Sequence, residues 1–152
     1  MPNVTAPENC PCSSGLPLAA CCGRYHNGEP APTPEALMRS RFSAFALGLS
    51  DYVLETWHPD QRPASLLDDS LTEWVRLEIL SSQQQDDAGQ VHFRAIFREN
   101  NRWNALEEDS SFIRTAGRWL YVDGETAVVS LKPGRNADCP CGSGRKAKRC
   151  CC

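Results

Sequence analysis

"QVHFRAIFRE", residues 90–99, decides the fold. Val91, Phe93, Ala95 and Phe97 alternate with His92, Arg94, Ile96 and Arg98. Successive side chains of a strand point to opposite faces, so a period of two over this length predicts a half-buried β-strand. "DDAG" at 86–89 turns into the strand and "ENNR" at 99–102 turns out of it. A long strand is expected from Trp103 to Thr115. "AGRW" at 116–119 turns again, and "WLYVDGETAVVSL" at 119–131 predicts a short strand, an Asp-Gly turn and another strand. The acidic run Glu107, Glu108, Asp109 reads as a solvated strand face, offset by Arg98 and Arg102 across the preceding hairpin.

Upstream of about residue 70 the period is helical. "NGEPAPTPEAL" at 27–37 reads as a linker running into a helix, with Thr33 as N-cap and Pro34 at the first helical position. Met38, Phe42, Phe45 and Leu49 recur at helical spacing as one apolar stripe, and Gly48 weakens its end. "SDYVLETWH" at 50–58 opens a second helix that Pro59 stops. Helices followed by an antiparallel meander make an α+β protein: a curved antiparallel sheet with N-terminal helices against one face. Short turns permit only neighbouring strands to pair.

The ends of the chain have a different character. "CPCSSGLPLAACC" occupies residues 10–22 and "CPCGSGRKAKRCC" occupies residues 139–151, with identical cysteine spacing. Cys152 is left over from nine cysteines. Disulfides fit this pattern poorly. Neighbouring cysteines rarely bridge, the total is odd, and "MPNVTAPENCPC" carries no export signal, so the cytoplasm, where thiols stay reduced, is the expected compartment. Zinc fits better, because it accepts four thiolates in a tetrahedron. Pro11 and Pro140 limit the backbone between paired sulfurs, while Gly142 and Gly144 let the chain reverse; Ser13 replaces the first of those glycines in the N-terminal copy. The predicted ligands are Cys10, Cys12, Cys21 and Cys22 for one structural Zn2+ and Cys139, Cys141, Cys150 and Cys151 for a second. A shell closed by four sulfurs has no open position for substrate, so neither site is read as catalytic. His26, four residues after Cys22, has no counterpart in the duplicate and is left out of the ligand set.

"CPCGSGRKAKRCC" resembles the SEC-C motif, the small zinc element named for the carboxyl terminus of the SecA translocation ATPase, where it contributes to contact with the chaperone SecB. The resemblance implies the same two ligand quartets. "CCGRYHNGEPAPTPEALMRSRFSAFALG", "YVLETWHP" and "FRENNRWNALEEDSSFIRTAGRWLYVDG" extend the likeness over nearly the whole chain, which resembles the YchJ-like family of bacterial proteins. That resemblance implies a cone-like, cystatin-like or nuclear transport factor 2-like domain between two SEC-C elements. The expected organisation is a zinc motif at 1–26, a linker at 27–33, the α+β domain at 34–131, a linker at 132–138 and a zinc motif at 139–152.

Composition limits the functions. A formal charge of −3 argues against a uniformly basic nucleic-acid binder, and no segment is apolar for long enough to span a bilayer. The cations are local: Arg145, Lys146, Lys148 and Arg149 lie inside the C-terminal cysteine loop, whereas the N-terminal loop has none and is expected to pack on the central domain. The basic loop either stabilises thiolates or forms a patch for an acidic protein or RNA phosphates. The leading expectation is a non-enzymatic adaptor that binds a protein, an export chaperone or the ribosome with its nascent chain, through those four residues. The alternative is a ligand-binding, isomerase or hydrolase site in the central domain, where His58, Tyr52 or an acidic residue meets apolar walls. Tyr52, Trp57, Trp74, Trp103 and Trp119 are otherwise read as core and rim packing. Thiol redox chemistry through Cys152 is a third possibility.

Overall fold

The computed structural model describes residues 9–64, 72–132, 139–141 and 145–146. A 3-10 turn at Leu18–Ala20 leads into α1 (Cys22–His26), α2 (Pro34–Leu47) and α3 (Ser50–Glu55). Strands β1 (Thr72–Gln85), β2 (Ala88–Glu99), β3 (Arg102–Thr115) and β4 (Arg118–Ser130) follow. They form one antiparallel sheet in the order β1-β2-β3-β4. The α+β order and the meander read from the sequence are those of the structure.

The local chemistry explains the elements. Thr33 Oγ1 accepts the Ala36 N–H at 3.0 Å, Pro34 supplies the first helical residue, and Gly48 closes α2 at φ 76°, a left-handed conformation that costs glycine little. The hairpins turn at Asp86, at Asn100 and Asn101, and at Ala116 and Gly117, all with positive φ. Such turns match the twist of paired strands. Val91, Phe93, Ala95 and Phe97 are buried, as the alternation predicts. Val91, Phe93 and Ala95 face α2 across the inner side of the sheet, in a cluster with Leu37, Met38 and Phe42, and Phe97 packs its ring on Trp74.

Several expectations change. The apolar stripe of α2 stops at Phe45, because Leu49 lies beyond the helix and is 38% exposed. The helix expected to reach His58 ends at Glu55. Edge strand β4 captures the backbone after it: Tyr121 N–H donates to the Thr56 carbonyl at 2.8 Å, and His58 N–H donates to the Tyr121 carbonyl at 2.7 Å. The "VDGE" turn is absent, since β4 pairs with β3 from Arg118 to Ser130, with a bulge opposite Ser111/Phe112. Arg98 pairs with Glu73 at 2.7 Å and lies over the Trp103 ring, and Arg102 sits opposite Glu99, so neither answers the acidic run. His92 does, holding Glu107 at 2.8 Å. Glu108 faces inward and is 8% exposed.

Gly124 belongs to that last change. A Cβ there would overlap the Glu108 carboxylate, so the glycine makes room for that group and does not form a turn. Gly124→Ala is expected to cost about 1–3 kcal/mol in urea unfolding, as overpacking does. In a Glu108→Ala background the same change should be nearly neutral. An equal cost in both backgrounds would contradict this reading.

Candidate metal centre and central cavity

The N-terminal cysteine spelling folds into a quartet. The Cys10 N–H donates to the Leu16 carbonyl at 2.8 Å, closing a loop that brings Cys10 and Cys12 together. The 3-10 turn then returns the chain, and Cys22 opens α1 beside Cys21. The four sulfurs lie within 4.8 Å of one another and all four residues are buried. Cys12 and Cys21 Sγ are 3.6 Å apart and Cys21 and Cys22 Sγ 3.9 Å, and no disulfide joins them. A tetrahedron with bonds of about 2.3 Å has sulfurs about 3.8 Å apart, so the quartet has the dimensions of a single-ion site. These residues can hold a metal ion.

The quartet lies within the main apolar cluster of the domain, not on its surface. Cys10, Cys12, Cys21, Cys22 and Tyr25 share one buried cluster with Leu37, Phe42 and Leu77. Ser43 of α2 reaches Cys10 Sγ at 3.3 Å, and Ser14 reaches Cys21 Sγ at 3.2 Å. Ser13, in the position of Gly142 in the C-terminal copy, holds φ 69° and accepts the Leu77 N–H of β1 through its hydroxyl at 3.1 Å. The serine accepts backbone strain and gains a tertiary contact. The tip of the apolar loop does not pack down: Leu16 is 50% exposed, while Leu18 packs against the cluster.

A cation is supplied from elsewhere in the chain. Arg39 of α2 donates from Nη1 to the Cys12 carbonyl at 2.9 Å and from Nε to Glu35 at 3.1 Å. Against burial, which lowers it, Glu35 and Cys12 hold the Arg39 guanidinium above its ordinary pKa. Hydrogen bonding to Cys22 brings the Cys12 thiol down to about 4, and the same bond, with burial, drives Cys22 up. Arg39 and Ser43 carried no local signal, because both stand far along the chain from the cysteines they touch. His26 is outside the quartet, with Nε2 at 2.8 Å from the Ser40 carbonyl.

The start of the C-terminal copy lies on the other side of the sheet. Cys139 is buried with Ile96, Trp103 and Ala105, and Cys141 is packed beside them with Val75 and Leu131. By register Ile96 and Ala105 are paired neighbours on the face opposite to Ala95 and Leu106. The Cys139 N–H donates to the Arg145 carbonyl at 2.9 Å, the counterpart of the Cys10–Leu16 bond. Arg145 and Lys146 are exposed. Cys150, Cys151, Cys152, Lys148, Arg149 and most of the expected second linker lie outside the described residues.

Between α2 and the inner sheet face is a cavity of about 150 Å³. Its walls include Phe42, Phe45, Trp57, Trp74, Phe93 and Leu106, and its polar groups belong to Arg41, Glu108 and Tyr121. Tyr52 and His58 do not line it. The Tyr52 hydroxyl bonds Ser40 Oγ at 2.7 Å, and His58 Nδ1 accepts the Asp60 N–H at 3.2 Å. The inward-facing acid that alternation makes available is Glu108.

Helices folded against an antiparallel sheet, with a cysteine quartet able to hold a metal ion, define an α+β protein with a candidate metal centre. No helix among the described residues is long and apolar enough to cross a membrane. Residues 33–124 match the model of the YchJ middle NTF2-like domain, and residues 135–151 match that of the SEC-C motif. The chain belongs to the YchJ-like family. A UPF0225 protein of Serratia proteamaculans is 45% identical over 155 residues, covering 95% of this chain and 98% of the relative. A SEC-C motif containing protein from Rhodopseudomonas palustris, solved in solution, is similar at TM-score 0.71 and 35% identity, covering 78% of this chain and 98% of that one. A crystal structure of a SEC-C motif containing protein from Psychrobacter arcticus gives TM-score 0.66 and 32% identity, with 95% of each chain covered.

Proposed function

We propose that this protein is a non-enzymatic, zinc-stabilised adaptor that presents a basic C-terminal loop to an acidic protein surface. The observation that carries the metal assignment is the buried cluster of four sulfurs with spacings near the edge of a ZnS4 tetrahedron. One Zn2+ is held by Cys10, Cys12, Cys21 and Cys22. A second is held by Cys139, Cys141, Cys150 and Cys151, a reading supported by the repeated spacing and by the loop-closing bond common to both copies. Both ions are structural.

The adaptor role rests on unequal surroundings. The N-terminal quartet is enclosed by the domain and has its cation from Arg39, whereas Cys139 anchors the C-terminal element on the outer sheet face with Arg145 and Lys146 exposed. Lys148 and Arg149 complete the proposed contact. Likeness to the element of SecA favours an export chaperone as partner, with the ribosome and its nascent chain as the other protein-bearing target. Replacing Arg145, Lys146, Lys148 and Arg149 with glutamine should leave two zinc ions per chain. It should weaken binding to purified export chaperone, or co-sedimentation with ribosomes, at least tenfold, since charges at the rim of an interface each contribute modestly and act together. Unchanged binding by the quadruple variant overturns the docking assignment.

A further inference from the structure

The central cavity contains charge that the protein itself leaves partly unanswered. Arg41 is 3% exposed. Its Nη1 donates to the Val53 carbonyl at 2.7 Å and to Thr56 Oγ1 at 2.8 Å, and the guanidinium lies over the rings of Tyr121 and Trp57 at 4.6 and 5.1 Å. Nε and Nη2 have no hydrogen-bond partner among the described residues. In the same lining, Glu108 Oε2 accepts from Ser110 Oγ at 2.8 Å and from the Tyr121 hydroxyl at 2.6 Å, while Oε1 has no such partner among the described residues. Both residues border the cavity, so these free edges of a guanidinium and a carboxylate can be answered together by a group that enters it.

The chemistry of that group follows from the walls and the charge. One positive and one negative side chain face the same space, so an anion would be drawn by Arg41 and repelled by Glu108, and a cation the reverse. A neutral group with an acceptor beside a donor satisfies both edges. The remaining walls are aromatic and aliphatic, and ring faces at Phe42, Trp57, Trp74 and Phe93 favour a flat partner. A cavity of about 150 Å³ admits one ring with a small substituent; an engineered protein cavity of that size takes up benzene. We propose that the central cavity binds a neutral, single-ring aromatic or heteroaromatic amide or lactam, its carbonyl oxygen on Arg41 and its N–H on Glu108. Among the described residues, no cysteine lines this cavity.

Benzamide is the probe, titrated into the zinc-loaded full-length protein and followed by the indole N–H signals of Trp57 and Trp74. Saturable shifts are expected with a dissociation constant near the millimolar range, as for a ligand of so few atoms. Benzoate, equal in shape but anionic, should bind at least tenfold more weakly. Leu106→Trp, which fills the cavity, should abolish binding with the zinc content unchanged. In the unsubstituted protein, nuclear Overhauser contacts should connect the benzamide ring protons to Phe42, Trp74 and Leu106, a readout that survives any misfolding of the variant. Failure to saturate up to the solubility limit means the cavity holds water only and overturns the proposal. So does equal affinity for benzoate, binding retained in a folded Leu106→Trp protein, or the absence of those contacts.

Discussion

Cys12→Ser is expected to remove one equivalent of zinc per chain and to lower the free energy of unfolding by about 3–5 kcal/mol, a large part of the ~5–15 kcal/mol that holds a domain together. Serine nearly matches cysteine in volume, so little of this loss comes from packing. It comes from the coordination shell, in which a hydroxyl is a far poorer ligand than a thiolate. The loss should not stay at the N-terminus. Cys12 is wholly buried in the cluster that holds Leu37, Met38 and Phe42, its carbonyl is tied to Arg39, and its neighbour Ser13 is tied to the backbone of β1. The N-terminal element and the α+β domain should therefore unfold in one transition, and removal of zinc by a chelator should lower the midpoint of that transition. Metal analysis together with urea titration in zinc-buffered solution measures both effects. A Cys12→Ser protein with full metal content and unaltered stability would remove the basis of the metal assignment.

The second large effect is expected at Arg41. Burial lowers its guanidinium to about 10, with Tyr121 and then Glu108 opposing, so the side chain remains charged at neutral pH inside the domain. Arg41→Leu removes the guanidinium bonds to the Val53 carbonyl and the Thr56 hydroxyl and the positive charge that Glu108 senses. Breaking a buried charge arrangement from one side costs about 3–5 kcal/mol. Lysine should recover only part of this, because an ammonium cannot reproduce the planar stacking on Trp57 and Tyr121 together with the bonds to Val53 and Thr56. Glu108→Gln in the Arg41→Leu background should restore stability relative to Arg41→Leu alone, since it removes the stranded charge. Urea unfolding of the two single variants and the double variant measures the coupling. A coupling near zero would mean that the two groups do not sense each other across the cavity.

How much of this was open to a reader of the sequence depends on how local each cause is. The strand at 90–99, the turns at 86–89, 99–102 and 116–119, the Thr33 cap and the repeated cysteine spacing are short-range patterns, each set by backbone geometry within a few residues. They are recovered where the structure describes them. Glu108 was legible in principle: if Leu106 and Ser110 face inward on a strand, the residue between them must as well, yet an acidic run argues for solvent. The alternation prevailed because Ser110, Tyr121 and the space over Gly124 accommodate the carboxylate. "VDGE" shows the reverse case. Asp-Gly favours a turn locally, but pairing along the whole of β3 outweighs that preference.

The sequence by itself determined the α+β order, the meander and the two cysteine quartets as candidate ligand sets, because periodicity and spacing act through neighbouring residues. Only the tertiary structure decided that the N-terminal quartet lies in the core with Arg39 and Ser43 beside it, that the C-terminal copy begins on the opposite sheet face, and that Arg41 and Glu108 share one cavity. Those juxtapositions come from the packing of α2 between the cysteine element and the sheet. Burial there is set by contacts between residues remote along the chain, which no local pattern encodes.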